Sequence, residues 1–318
     1  MDKNIDVIIG LQYGDEAKGK ITHRLAKNNY KGVFRFNGGG NAGHTIYHEG
    51  EKYVTHLIPC GVFYGKLSII GNGCVLNVEA FFKELEYLKK NFDTSLVKIA
   101  TNTHILTDAH KEEDSKDISI GTTRTGNGPC YRDKYNRKGI RAEQISELKP
   151  YLIQMEDLPS GDYLAEGAQA FGLDIDWGDY PYVTSSQCGI GSVLLNGFNH
   201  KQIRKVYGVM KAYSTYVGMK SFEPSDDVFK LIREKGKEYG ATTGRPRQCN
   251  WLDLDLVKRA INMNGVDVIY MNKMDILREI NIWNVIVQNK IVNLGTEDNF
   301  QNFVTEALGT VEFEYSPH

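Results

Sequence analysis

Six short apolar runs rich in β-branched residues recur along the chain: "DVIIG" (6–10), "GVFRF" (32–36), "LSIIG" (67–71), "VKIAT" (97–101), "VDVIYM" (266–271) and "WNVIV" (283–287). They are nearly continuously apolar, and helical patterns lie between several of them. Residues 77–91 put apolar side chains at helical spacing behind Asn77, an N-cap candidate, and residues 252–265 close on a glycine, as helices do. Strands buried on both faces and alternating with helices predict an α/β fold with a mostly parallel central sheet flanked by helices. No Pro-rich linker, repeat or low-complexity tract interrupts the 318 residues, so a single large domain over 1–318 with long functional loops is expected.

Composition removes several classes of function. A net charge of -2 leaves no footprint for nonspecific nucleic-acid binding. The five cysteines are scattered, odd in number and without a Cys-x-x-Cys pair, which argues for a reducing compartment and against a disulfide framework or zinc site. The opening apolar run is too short for a signal peptide, and no apolar stretch approaches the ~18 residues of a membrane span. The expectation is a cytoplasmic protein with small-molecule substrates, binding neither nucleic acid nor membrane.

Chemistry concentrates in glycine-rich segments behind the apolar runs. "GDEAKGKI" (14–21) follows the first and nearly spells the phosphate-cradling G-x-x-x-x-G-K-[ST], but Ile21 stands where that motif has its Mg²⁺-binding hydroxyl. A strand-to-helix turn of this kind aims backbone N–H groups at an anion, Lys18 and Lys20 add charge, and Asp15 is the carboxylate available to a metal. "NGGGNAGHT" (37–45) bares its backbone for close ligand approach and delivers His44, suited to protonating a leaving phosphate oxygen. In "GATTGRPRQ" (240–248), Arg245 and Arg247 form a candidate fork for a dicarboxylate, with Thr242 and Thr243 as donors; a surface basic turn is the competing reading. "MNKMD" (271–275) offers Asp275 as an acceptor for guanine N1–H and the 2-amino group, or simply as an acidic residue at a helix start. Residues 111–141 are polar and weakly periodic, a composition that by itself reads as a solvated loop. No Asp-x-x-Gly switch is present, which opposes a regulatory GTPase.

Six motifs, "GLQYGDEAKGKI", "GGGNAGHT", "IGTTRTGNGPCYRDK", "EGAQAFGLDIDWGDYPYVTSS", "KAYSTYVG" and "GATTGRPRQCNWLD", resemble in order and wording those of the adenylosuccinate synthetase family, from residue 6 to about 275. "LGTEDNF" (294–300) is similar to the family's last base-contacting loop.

The resemblance implies a P-loop-like nucleotide-binding core and a ligase that moves a γ-phosphoryl group to the 6-oxygen of a purine monophosphate and then displaces it with the amine of L-aspartate. It further implies that Asp15, His44 and Lys18 are catalytic and that Mg²⁺ sits on Asp15 and the Gly43 carbonyl. The triphosphate, ATP, dATP or GTP, would lie on Gly14, Asp15, Glu16, Ala17, Lys18, Gly19, Lys20, Gly43, His44, Thr45, Lys273 and Asp275. The monophosphate would lie on Asn41, Thr122, Thr123, Gln169 and Thr184, with Arg137 reaching the partner's site in a homodimer, and L-aspartate on Thr242, Thr243, Arg245 and Arg247. Residues 111–141 then read as an ordered binding loop. Short length and departures from the family pattern at Tyr13, Ala17, Tyr216, Pro246, Gln248 and "QCGIG" (187–191) favour a phage branch that acts on dGMP, with IMP as the alternative.

Overall fold

The computed structural model describes residues 3–117, 119–240, 244–309 and 311–315. Its centre is a nine-stranded sheet in the order Glu312–Tyr315, Val268–Asn272, Ile203–Lys211, Lys3–Gly10, Gly161–Glu166, Gly32–Arg35, Leu67–Ile70, Val97–Ala100, Leu152–Ile153. Every neighbouring pair is parallel. The expected α/β class with a parallel sheet is what forms.

Burial on both faces explains the unbroken apolar runs. In the first strand Ile5, Val7 and Ile9 pack into one core while Ile8 points into another; in the neighbouring strands Phe34 and Ala165 take the first face, Val33 and Leu164 the second. Helix Lys18–Ala26 covers that second face with Ile21 and Leu25. Helix Val78–Lys89 starts where Asn77 accepts from the Ala80 amide at 2.9 Å and buries Phe81, Leu85 and Leu88 in a third cluster. Helix Leu254–Asn264 is capped by Asp253 and ends on Gly265 in the left-handed conformation, as its sequence predicts.

Three expectations need correction. "WNVIV" supplies Asn284–Val287, which belongs not to the central sheet but to a four-stranded mixed sheet with Tyr213–Tyr216, Gln248–Asp253 and Lys290–Asn293. Two strands beside the first one, Gly161–Glu166 and Ile203–Lys211, are absent from the six runs because each carries charge from its second residue at the sheet's amino-terminal edge, where Arg204 pairs with Asp6 at 2.7 Å and Asp162 at 2.6 Å. The polar stretch 111–141 is about half helical: it holds the end of helix Asp108–Lys116 and all of Asn127–Tyr135. Its weak periodicity reflects half-exposed helices that bury only His110, Asp114, Asn127, Cys130 and Tyr131. None of the helices among the described residues is long and apolar enough to cross a membrane.

The second glycine-rich loop is held from below by close backbone approach. A Cβ on Gly73 would lie 1.9 Å from the Phe36 carbonyl oxygen, a main-chain atom that cannot swing away. Gly73→Ala is expected to cost about 2–3 kcal/mol of stability by overpacking, read as a lower urea midpoint at unchanged slope.

Candidate active site

Ligands of open parallel sheets sit beyond the carboxyl ends of the strands. Here the first strand ends at Gly10, Gly32–Arg35 leads into the glycine loop, Gly161–Glu166 into "GAQ", Ile203–Lys211 into "AYSTY" and Val268–Asn272 into "KMD". These loops therefore meet at one edge of the sheet.

The first loop turns through two left-handed residues, Asp15 (φ 61°) and Ala17 (φ 70°), before helix Lys18–Ala26 begins. Inside the turn the Glu16 carboxylate is fully buried. It accepts from the Gly14 amide at 2.8 Å and the Gln12 amide at 3.3 Å, and pairs with Lys18 Nζ at 2.7 Å. Asn272 Nδ2 donates to the Glu16 carbonyl at 2.8 Å, tying the loop to the strand end before Lys273. Burying an acid among N–H donors orders the loop without a ligand. Asp15 faces outward, its side chain one-third exposed.

His44 lies on this helix: a Cβ on Gly19 would come 2.9 Å from the His44 Cβ. Its Nδ1 sits 2.5 Å from Glu166 Oε1, and Glu166 Oε2 accepts from the Cys60 amide at 2.9 Å. Burial pushes Glu166 up, but His44, the Arg35 guanidinium and the Cys60 amide outweigh it and hold the acid at about 2. Burial above all pushes His44 down, against the pull of Glu166, with Arg35 and Lys18 adding to the fall. The pair is thus a neutral imidazole whose Nδ1–H donates to an anion, leaving Nε2 to take or share a proton. Arg35 is the register partner of Glu166 on the adjacent strand, is 1 % exposed, and leaves Nε and Nη2 without hydrogen-bond partners. The donor atoms of His44, Cys60 and Glu166 lie within 4.8 Å of one another, a spacing a metal could use. The direct His44–Glu166 hydrogen bond already occupies it.

The remaining expected residues gather around these two. Gln169, at a positive φ of 55°, donates to Asn41 Oδ1 at 3.1 Å, and its main-chain carbonyl oxygen lies 2.9 Å from where a Gly10 Cβ would be. Thr123 shares a 2.9 Å hydroxyl contact with Thr125, which reaches Asn127 beside Gly39. The Thr122 hydroxyl accepts from the Arg124 amide, and the Thr184 amide donates to Leu173. Gly43 leads into strand His44–His48, where Thr45 pairs with Val54. Burial lowers Lys20, with Asp275 opposing the fall; Asp275 itself sits in the first turn of helix Met274–Ile280.

Three further residues are placed by local features. Lys273 Nζ donates to the Gly236 carbonyl at 2.8 Å. Arg137, with a positive φ of 61° just beyond helix Asn127–Tyr135, is exposed. Thr296 in "LGTEDNF" caps helix Glu297–Leu308.

The two arginines of the candidate fork meet different partners. Arg245 Nη1 donates to the Gly121 carbonyl at 3.1 Å, linking its loop to Thr122 and Thr123. Arg247 turns inward, with Nε 2.7 Å from Asp15 Oδ2 as an ion pair off hydrogen-bond alignment, and Nη1 on Glu238. Thr242 and Thr243 lie outside the described residues. Gln248, where the family pattern has arginine, stitches the 218–222 segment by donating to Gly218 and Lys220 and accepting from Phe222.

Sequence reading missed Glu166, Glu238, Lys211 and Arg35. The available signal is a charged residue closing or following an apolar strand, as in "YLAEG" and "GVMKAY".

An anion-cradling turn with an internal cation, an anion-backed histidine on a second glycine loop and an arginine loop on the same sheet edge define an α/β enzyme that handles phosphorylated nucleotides. The chain belongs to the adenylosuccinate synthetase family, whose model matches residues 7–160 and 150–316; it is a C–N bond-forming ligase of that type. It is 38% identical to the adenylosuccinate synthetase of Thermoplasma volcanium over 85% of this chain and 75% of that one. With the Paramecium tetraurelia enzyme of the same name it shares 36% identity over 98% and 85%. Among solved structures, the fully ligated adenylosuccinate synthetase of Plasmodium falciparum superposes with a TM-score of 0.81 at 33% identity, covering 94% of this chain and 86% of that one. The cyanophage S-2L succinoaminodeoxyadenylate synthetase, bound to dGMP and dATP, shares the fold at TM-score 0.75 and 21% identity, over 96% and 100%.

The lowered pKa of Glu166 has a consequence for stability. Its folded value of about 2 lies below the unfolded ~4.3, so its contribution is full above about pH 5 and is lost as pH falls toward 2. Urea titrations from pH 7 to 3 should show stability dropping below pH 5. Glu166→Gln should be less stable at pH 7 and lose less on acidification; an equal acid loss would dissociate Glu166 from it.

Proposed function

We propose that the chain condenses L-aspartate with IMP, using GTP as phosphoryl donor. The observation that carries this reading is the pairing of an outward carboxylate, Asp15, with an anion-backed imidazole, His44, on two glycine-rich loops of one sheet edge. The names of the relatives that cover most of the chain support IMP over dGMP.

Asp15 takes the N1 proton of the purine, and the freed electron pair makes O6 nucleophilic. O6 attacks the γ-phosphorus, and the nucleoside diphosphate leaves. His44 Nε2 lies on the phosphoryl side; incoming phosphate charge favours its protonation, and Glu166 stabilises the imidazolium that forms. The aspartate amine then adds to C6, phosphate departs, and the amine's surplus proton passes to water. Lys18 and Lys20 neutralise phosphate charge, with the loop amides. Asp15 and the Gly43 carbonyl offer the hard oxygens Mg²⁺ prefers, so the residues fit that ion, which would offset charge on the transferred phosphoryl. Asn41, Thr122, Thr123 and Thr184 hold the 5′-phosphate and Gln169 the base. Asp275 reads guanine. Arg137, which is exposed, serves a partner's site in a homodimer.

The dGMP reading rests on the departures in the pocket segments. Two of these have local work: the Tyr13 hydroxyl donates to Asp179 at 2.9 Å, and Gln248 holds 218–222. Incubation with aspartate, Mg²⁺, IMP or dGMP, and GTP, ATP or dATP is expected to yield a succino-nucleotide from IMP with GTP. Product from dGMP alone would replace the purine, and product from neither would leave a nucleotide-binding module or a GTPase.

Asp15→Asn and His44→Ala are each expected to lower kcat by about two or more orders of magnitude, the scale of general acid–base groups. Near-normal turnover in either removes its role. Arg245→Leu should mainly raise the KM for aspartate.

A further inference from the structure

Arg247 is anchored from behind. Glu238, fully buried, meets its Nη1 at 2.5 Å, and the two backbones bond as well, Arg247 N donating to the Glu238 carbonyl at 3.0 Å. The Arg247 carbonyl accepts from Arg233 Nε at 2.6 Å. Glu238 is itself fixed on its far side: Tyr213 donates its hydroxyl at 2.6 Å, and Lys211 Nζ lies 3.1 Å from both carboxylate oxygens while donating to Thr215 at 2.6 Å. Burial pushes the Glu238 acid up, yet Lys211 and Arg247 prevail and hold it near about 2. The result is a chain of alternating charge, Lys211, Glu238, Arg247, Asp15, running from a fully buried ammonium to the outward carboxylate of the first loop.

We infer that Glu238 is a positioning residue of the aspartate subsite: it fixes the Arg247 guanidinium so that its outer side is presented to a carboxylate, that of Asp15 without substrate and that of L-aspartate with it. The inference rests on the ligase reading above. The physical reason is preorganisation. An arginine side chain carries several rotatable bonds, and a guanidinium already held on one side loses less freedom when it takes a second carboxylate. Only arginine suits the post, because its planar fork can serve two acids at once, whereas an ammonium is a point charge. Two consequences follow. The same group that receives aspartate shields the Asp15 charge in the empty protein, and arrival of the substrate carboxylate draws the guanidinium away from Asp15.

Steady-state kinetics on the full chain test this. Glu238→Gln is expected to raise the KM for L-aspartate at least tenfold while leaving those for the purine monophosphate and the triphosphate within about twofold. A general structural lesion would move all three. Glu238→Gln strands the Lys211 charge in the core, so a lower Tm is expected too. The double variant Glu238→Gln/Lys211→Met removes that charge and should recover Tm without recovering the aspartate KM. Arg247→Lys, which keeps the charge and loses the fork, should reproduce the selective rise and decides the matter if the Glu238 variants are insoluble. A normal aspartate KM in any soluble variant of the three, or an equal rise in all substrates, overturns the inference. A wild-type protein that makes no succino-nucleotide fails the ligase reading instead. Calorimetric binding of L-aspartate, tenfold weaker in Glu238→Gln than in wild type, still tests the subsite in that case, and equal binding overturns it.

Discussion

A carboxylate taken out of water must be matched by donors, and this constraint is met under three of the site's loops. Glu16, Glu166 and Glu238 are all fully buried. Glu16 takes two amides of its own turn and Lys18; Glu166 takes His44 and the Cys60 amide; Glu238 takes Lys211, Tyr213 and Arg247. An isolated buried charge costs several kcal/mol, so each acid tolerates few arrangements of its neighbours. Each therefore locks one loop: the phosphate turn, the histidine loop and the arginine loop. The cations and the imidazole to which the proposal gives roles are the groups that pair with those acids.

The parallel sheet makes this possible. Its strands are buried on both faces, which leaves their carboxyl ends as the place where backbone and charge can face a ligand. Charged residues close several strands there: Arg35, Glu166 and Lys211. Arg35 and Glu166 are register partners, so the sheet's own pairing sets the charge around His44.

How much of this was legible beforehand varies by residue. Asp15, Lys18 and His44 sit in glycine-rich segments directly behind apolar runs, and local order suffices to bring them to one sheet edge. Helices with a cap and a terminating glycine, Val78–Lys89 and Leu254–Asn264, could be read for the same reason. The arginine fork could not. Arg245 and Arg247 are two residues apart, yet one reaches Gly121 and the other Asp15 and Glu238. Partners this distant in sequence leave no periodic trace. The strands Gly161–Glu166 and Ile203–Lys211 were hidden because their second residues, Asp162 and Arg204, serve ion pairs at the opposite edge.

The sequence by itself determined the α/β class, the parallel sheet, the family and the chemical types gathered at the site, because periodicity, turn glycines and ordered motifs are local properties. Only the tertiary structure decided which polar groups pair: that Lys18 belongs to Glu16, the His44 imidazole to Glu166, and Arg247 to Asp15 and Glu238 at once. Coulomb pairing inside a protein depends on distance and burial, and neither is encoded at any single position of the chain.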